Sequence, residues 1–177
     1  LSRGYTVYGI ARHASERNTW RIKAYVGHDR FRLLWGDVLD PGFVARCVDR
    51  AEPDEVYNLA AQSDVASSFE IPDYTIQVNT LATARLLDIL HRANSKARFY
   101  QASPSELFGD SAIAQSESTP MRPMSPYAAA KLAAFWMVRT YRDAYGMHAS
   151  NGILFNHESP LRAECFVTRK PAIAVAR

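Results

Sequence analysis

Two side chains four positions apart are the first candidates for chemistry in this sequence. Tyr127 and Lys131 lie in a segment with helical periodicity, which places them on one helix face, one turn apart. An ammonium group beside a phenol favours the phenolate, so we expect Lys131 to lower the pKa of Tyr127. A phenolate near neutral pH can act as a base. The same spacing also fits a tyrosine and a lysine that merely share an exposed helix face.

Other polar residues follow short apolar runs at four places along the chain. They are Asp37, the segment Leu59-Ala60-Ala61-Gln62-Ser63, the segment Ser103-Pro104-Ser105-Glu106, and Asn156-His157-Glu158. In open α/β sheets, ligands bind beyond the carboxyl ends of the strands, so these residues are expected to face one site. Glu106 could also be a surface carboxylate at a strand end.

The elements that must position these residues alternate between strands and helices. Short apolar runs predict strands at 5–10, 31–35, 55–59, 98–102 and 150–154, and periodic segments predict helices at 41–50, 72–93 and 126–145. In the second helix, one apolar stripe is formed by Val78, Leu81, Leu86, Leu87 and Leu90. This alternation predicts a Rossmann-like, doubly wound parallel sheet with helices on both faces.

One part of a dinucleotide-binding fold has no counterpart in the sequence. The eight glycines contain no phosphate-cradling cluster after a first strand, so we expect the first β-α unit to be absent. The last residues, Ala-Ile-Ala-Val-Ala-Arg, are typical of the first turn of an unfinished helix. We therefore expect residues 1–177 to be a single partial domain, truncated at both ends and lacking the C-terminal substrate portion.

Composition excludes several functional classes. The chain has 177 residues, 47% of them hydrophobic, and a net charge of +3 that is too small and too scattered for a nucleic-acid binder or an anionic membrane surface. It has neither an apolar run long enough to span a membrane nor a signal peptide, which predicts a cytoplasmic protein. Cys47 and Cys165 match no metal-ligand or disulfide spacing, so we expect free thiols and no metal site.

Motifs occurring in order along the chain carry a family resemblance. They are GDVLD, EVYNLAAQSDVASSFE, RFYQASPSEL, SPYAAAK and GILFNHESP followed by FVTRK. With them the chain resembles the extended short-chain dehydrogenase/reductase family, and within it the GDP-mannose 4,6-dehydratases, from Gly4 to Arg177. The resemblance implies a redox-neutral dehydration of GDP-mannose or a similar nucleotide sugar, with bound NADP recycled. It also implies a homo-oligomer, either a dimer or a tetramer.

The resemblance implies roles for individual residues. Tyr127 would take the proton of the carbon 4 hydroxyl, Lys131 would assist it and hold the nicotinamide ribose, and Glu106 would be the base for the carbon 5 proton. Cofactor contacts are implied for Arg12, Asp37, Val38, Leu59, Ala60, Ala61, Gln62, Ser63, Tyr74, Tyr127, Lys131, His157 and Arg162, and substrate contacts for Ser105, Asn156 and Lys170.

Some of these residues have simpler explanations. Arg12 suits the 2′-phosphate of NADP, yet it could be an exposed loop arginine. His157 could be structural rather than functional. Lys170 could be a solvated charge.

The sequence departs from the family pattern at Pro104, where Ser or Thr is expected. Proline has neither a hydroxyl nor an N–H, so a hydrogen bond to the reacting oxygen is lost there. Ser103 or Ser105 could replace it only through a local distortion, since neighbours on a strand point to opposite faces. Ala163-Glu164-Cys165 is a second departure. Two alternatives stay open: another nucleotide-sugar epimerase or reductase, or a non-catalytic relative that binds a nucleotide sugar.

Overall fold

Five strands, all pairing in parallel, form two sheets in the computed structural model, which describes residues 1–14, 19–164 and 166–176. Strand β1 (Val7–Ala11) pairs with β2 (Phe31–Trp35). Strand β4 (Arg98–Pro104) lies between β3 (Glu55–Asn58) and β5 (Ala149–Leu154). The predicted strands are confirmed to within two residues at their ends. Cys165 lies outside the described residues.

In the described ranges, six α-helices connect and flank these strands. They are α1 (Pro41–Ala51), α2 (Val65–Glu70), α3 (Pro72–Ile76), α4 (Ala82–Arg92), α5 (Pro126–Tyr145) and α6 (Arg169–Ala176). Two 3₁₀ segments, Trp20–Tyr25 and Ser105–Phe108, and the helix α2 were not predicted. None of the helices in the described ranges is long and apolar enough to cross a bilayer.

The helix starts follow from local sequence. Ser125 accepts a hydrogen bond from the backbone N–H of Ala128 at 3.1 Å, and Asp40 and Asp64 cap α1 and α2 in the same way. Proline occupies the first position of α5, where its missing N–H costs nothing. The cap at Ser125 therefore fixes the start of α5 at Pro126, one residue before Tyr127.

Helices α1, α4 and α5 cover one face of the three-stranded sheet. Their shared apolar cluster consists of Val48, Leu87, Leu90, Ala97, Phe99, Val138 and Ala149. On the opposite face, Tyr57 is 62% exposed and its ring lies 5.9 Å from that of Tyr100. The parallel α/β class is confirmed, but the long helices of the described chain fill one layer rather than two.

The predicted helix over 72–93 contains a π-helical turn, Gln77–Leu81, between α3 and α4. The wider turn changes the angular spacing of the side chains, so the predicted apolar stripe does not run straight through it. Val78, Leu87 and Leu90 are buried, whereas Leu81 is 42% exposed. The prediction that Leu81 belongs to the buried apolar stripe, which assumed a regular 3.6-residue period, is therefore wrong.

Candidate active site

Tyr127 and Lys131 are both buried at the start of α5, with 8% and 3% of their surface exposed. The Nζ atom of Lys131 donates a hydrogen bond to the carbonyl oxygen of Ala102 on β4 at 3.1 Å. The face that carries this pair therefore packs against the sheet. The alternative of two residues on an exposed helix surface is wrong.

The ionisation of the pair differs from the sequence expectation. Burial lowers the pKa of Lys131 to about 8, because the apolar surroundings disfavour the charged ammonium. Burial and, next, the charge of Glu106 raise the pKa of Tyr127 to about 12. The expected lowering of the Tyr127 pKa by Lys131 is wrong in this state, since the ammonium is directed to Ala102 and desolvation dominates. Tyr127 is a neutral phenol at neutral pH.

Glu106 lies in a segment that packs against α5, and its charge contributes to the raised pKa of Tyr127. The strand β4 ends at Pro104, and the 3₁₀ segment Ser105–Phe108 follows at once. Gly109 ends this segment with φ of 65° and ψ of −148°, a backbone conformation that is essentially restricted to glycine. The change from strand to tight turn thus places Glu106 in a segment that contacts the helix carrying Tyr127.

Pro104 leaves Ser105 as the available hydroxyl near Glu106. The hydroxyl of Ser103 is buried and donates to Oδ1 of Asn151 at 3.3 Å, so it is held within the sheet. The hydroxyl of Ser105 lies 3.5 Å from Oε2 of Glu106. The 3₁₀ segment thus departs from the strand geometry at Ser105, directly after Pro104.

The loop after β3 is fastened to the π-helical turn. Asn79, which is 1% exposed, donates to the Gln62 carbonyl oxygen at 2.9 Å and accepts from the Gln62 N–H at 3.0 Å. Thr75 donates to Oε1 of Gln62 at 3.4 Å. Asn79 and Thr75 were not predicted as site residues. Their only indication in the sequence is that Asn and Thr are poor helix formers placed inside a helical pattern.

Predicted cofactor residues from separate elements meet at the end of β1. The guanidinium of Arg12 contacts the hydroxyl of Tyr74 on α3. The carboxylate of Asp37, after β2, accepts a hydrogen bond from the N–H of Leu39 at 2.9 Å, which fixes its turn. Val38 lies in that turn. Arg12 is thus tied to a second predicted contact, although its side chain remains exposed.

A cavity of about 290 Å³ lies beyond β5 and collects three further predicted cofactor residues, Ser63, His157 and Arg162. The guanidinium of Arg162 lies 3.8 Å above the ring of Phe166, and its Nε is 3.5 Å from a carboxylate oxygen of Glu158. Arg21, which was not predicted, also lines the cavity. The cavity therefore has two guanidinium groups and one carboxylate in its lining, next to the Leu59-to-Ser63 loop.

The predicted substrate residues are less well gathered. Asn156 is exposed in the loop that follows β5. Lys170 on α6 lies near the start of α2, where its ammonium adds to the backbone N–H of Ser67 in lowering the pKa of Asp64. Within the described ranges, no hydrogen bond or ion pair joins Asn156 or Lys170 to Glu106. Of the three predicted substrate residues, the structure brings only Ser105 to Glu106.

Comparison with known proteins decides the family. A model of the GDP-mannose 4,6 dehydratase family matches residues 1–177. The chain belongs to this family. It is 53% identical over 188 residues to the GDP-mannose 4,6-dehydratase of Sinorhizobium fredii (strain HH103) and 50% identical over 187 residues to GDP-mannose 4,6 dehydratase 2 of Caenorhabditis elegans. These matches cover 99% and 100% of the chain but 52% and 49% of the relatives, so it spans about half of their length.

Solved structures support the fold expected for this dehydratase family. RMD from Pseudomonas aeruginosa, complexed with NADPH, has a TM-score of 0.77 at 29% identity over 89% of this chain and 56% of its own. A double mutant of DesIV, a dTDP-glucose 4,6-dehydratase from Streptomyces venezuelae with NAD and DAU bound, has a TM-score of 0.83 at 23% identity over 96% of this chain and 52% of its own. The Rossmann-like fold class is confirmed.

Several residues of this dehydratase-family chain have side chains suited to a nicotinamide dinucleotide. Arg12 offers a cation for a phosphate, and the cavity lined by Ser63 offers cations and a hydroxyl. The loop after β3 contains the small residues Ala60 and Ala61, while Leu59 is largely exposed. In the part of the chain that the structure describes, no cluster of three or more His, Cys, Asp or Glu side chains could hold a metal ion.

Proposed function

We propose that this chain takes part in the dehydration of GDP-mannose to GDP-4-keto-6-deoxymannose. The observation that carries the proposal is that the segment with Glu106 packs against the helix with the buried Tyr127, where the Glu106 charge raises the pKa of the phenol, in a chain of the GDP-mannose 4,6 dehydratase family. A phenol and a carboxylate at one site can share the proton transfers at the carbon 4 hydroxyl, at carbon 5 and at the leaving hydroxyl that this reaction needs.

The two side chains have distinct tasks in the proposed reaction. Tyr127 takes the proton of the hydroxyl on carbon 4 of the hexose as that carbon becomes a ketone. The ketone acidifies the proton on carbon 5, which Glu106 removes, and Glu106 then gives a proton to the hydroxyl that leaves carbon 6 as water. NADP⁺, when bound, would supply the acceptor and then the donor for the hydride that moves from carbon 4 to carbon 6. Carbon 5 regains a proton as the hydride reaches carbon 6, and the proton that Tyr127 took from the carbon 4 hydroxyl balances this step.

The high pKa of Tyr127 restricts when this proton transfer can occur. A phenol with a pKa of about 12 is protonated at neutral pH and is a poor base by itself. Positive charge beside the ring lowers a phenol's pKa. We infer that Tyr127 becomes competent when Lys131 is drawn from the Ala102 carbonyl towards the phenol and the cofactor ribose.

NADP is proposed over NAD on the position of Arg12. Arg12 directly follows β1, and a guanidinium at this place suits the 2′-phosphate of NADP, which NAD lacks. Tyr74 supports Arg12, and Ser63, His157 and Arg162 are proposed to contact the opposite end of the cofactor. We also propose a homo-oligomer, which the family resemblance implies. The sequence further supports the proposals of a single partial cofactor-binding domain and of a cytoplasmic location.

Pro104 favours one alternative, a relative that binds a nucleotide sugar without turnover. The proline cannot donate a hydrogen bond to the reacting oxygen, and among the described residues the serine hydroxyl that contacts Glu106 is that of Ser105. The other alternative, an epimerase or a different reductase, is not favoured because the family match covers the whole chain.

A chimera tests the proposed function. Residues 1–177 replace the matching segment of the Sinorhizobium fredii relative, since the chain spans 52% of that protein. Incubation with GDP-mannose and NADP⁺ should yield a 4-keto product lighter than the substrate by one water, detected by mass spectrometry. Glu106→Gln should lower this yield by at least about 10²-fold, the usual scale of general acid–base catalysis.

The matched control is Glu117→Gln, which removes a carboxylate from an exposed loop. It should leave turnover unchanged. A folded chimera that binds GDP-mannose but forms no product, both as it stands and with Pro104→Thr, would contradict the proposal and support the non-catalytic alternative. Full turnover by Glu106→Gln would remove the assigned base.

A further inference from the structure

The π-helical turn Gln77–Leu81 connects two parts of the candidate site that are far apart in sequence. Its residue Asn79 holds the backbone of Gln62 through two hydrogen bonds of 2.9 and 3.0 Å. The next residue, Thr80, donates its hydroxyl proton to the carbonyl oxygen of Ala130 at 2.8 Å. Ala130 immediately precedes Lys131 and lies between it and Tyr127.

The two contacts differ from ordinary core packing. In each contact a side chain of the π turn bonds to the main chain of another element. Such a contact positions the backbone of that element and not just one side chain. Asn79 satisfies both backbone groups of Gln62 in a loop that has no strand partner there. Thr80 adds a hydrogen bond from outside to a carbonyl within α5.

A π turn allows one short segment to make both contacts. In a regular α-helix successive side chains are about 100° apart, whereas a π turn changes this spacing locally and widens the helix. Such turns often occur at functional sites. Here the wider turn coincides with the exposure of the apolar Leu81 and with the burial of the polar Asn79.

We propose that this turn is a positioning device for the candidate reaction, in which Asn79 sets the cofactor loop and Thr80 sets the helix segment carrying Tyr127 and Lys131. The proposal rests on the proposed function for its kinetic consequences. Because both contacts come from neighbouring residues of one rigid turn, the turn fixes the spacing between the cofactor loop and the phenol. Asn79 and Thr80 are positioning residues, since neither is assigned to touch substrate or cofactor.

The proposal predicts separate effects for the two residues in the chimera. Asn79→Leu keeps the side-chain volume but removes both hydrogen bonds, and it should weaken NADP binding about fivefold or more, with turnover at saturating NADP nearly unchanged. Thr80→Val keeps the shape and removes the hydroxyl, and it should lower kcat about fivefold with the NADP Kd unchanged. Thr80→Ser should restore kcat.

Thr83→Val provides the matched control on the next turn of the same helix. Thr83 is also buried and hydrogen-bonded, to Asn58 and to the Asn79 carbonyl oxygen, but it contacts neither Gln62 nor Ala130. It should lower the melting temperature as much as Thr80→Val does, while kcat and the NADP Kd stay unchanged. A purely structural role for the π turn predicts instead that all variants change activity only in proportion to lost stability.

Hydrogen exchange gives a readout that does not depend on turnover. Asn79→Leu should speed exchange of the Gln62 amide, and Thr80→Val should speed exchange in the first turns of α5, while Thr83→Val should do neither. Unchanged exchange in both, or equal changes with Thr83→Val, would overturn the positioning role. An inactive chimera with this exchange pattern would instead contradict the proposed function and leave the positioning role supported.

Discussion

Burial of Lys131 should make the cofactor-free protein less stable as the pH falls towards neutrality. Its pKa is about 8 in the folded protein, compared with 10.5 for an unperturbed lysine. Between these values the unfolded chain binds more protons than the folded one, so the free energy of unfolding rises with pH. Replacement by Met removes this dependence, because methionine does not titrate and suits an apolar environment.

The size of the effect follows from the two pKa values. A shift of one pKa unit corresponds to about 1.4 kcal/mol, so the full shift is worth about 3 kcal/mol below pH 8. From about pH 9.5 to about pH 7.5, the free energy of unfolding should fall by about 2 kcal/mol through Lys131 alone. Cys47 acts in the opposite direction, since burial raises the pKa of its thiol and its contribution is lost as the pH rises.

The test is urea unfolding of the chimera and of its Lys131→Met variant at several pH values without cofactor. The difference between the two proteins gives the contribution of Lys131 to the pH dependence of the free energy of unfolding. Cys47 is present in both proteins and cancels in the difference. The variant should gain about 2 kcal/mol relative to the parent as the pH falls through this window. Parallel pH profiles for the two proteins would refute a buried, destabilised ammonium at this position.

Two substitutions and one binding measurement test other features of the chain. Pro104→Thr should raise the turnover of the chimera by about 10²-fold, because a hydroxyl then stabilises the reacting oxygen, and an unchanged kcat would assign that task to Ser105. Gly109→Ala should lower the free energy of unfolding by about 1–3 kcal/mol in urea titrations, since its φ of 65° is strained for alanine and the added Cβ would meet the Arg122 carbonyl. Residues 1–177 alone should bind NADP more weakly than micromolar in calorimetry, because the glycine loop is lacking.

Local sequence determined the elements and the kind of residues at the site. Apolar runs and helical periods fix the five strands and the long helices α1, α4 and α5, since burial of one face depends on spacing alone. Motif order identified the family and singled out Tyr127, Lys131 and Glu106. These are properties of short segments, which need no information about neighbouring elements.

Tertiary structure decided how those residues behave. Burial and the charge of Glu106 raise the pKa of Tyr127, whereas the sequence predicted that Lys131 would lower it. Both causes depend on how α5 packs against the end of β4, which the sequence pattern does not show. The π turn, the exposed Leu81 and the hold of Asn79 on Gln62 also escaped prediction, because a helical pattern gives no information about the backbone groups that another element leaves unpaired. The sequence thus identified the candidate side chains Tyr127, Lys131 and Glu106, and long-range packing determined their ionisation and their positions.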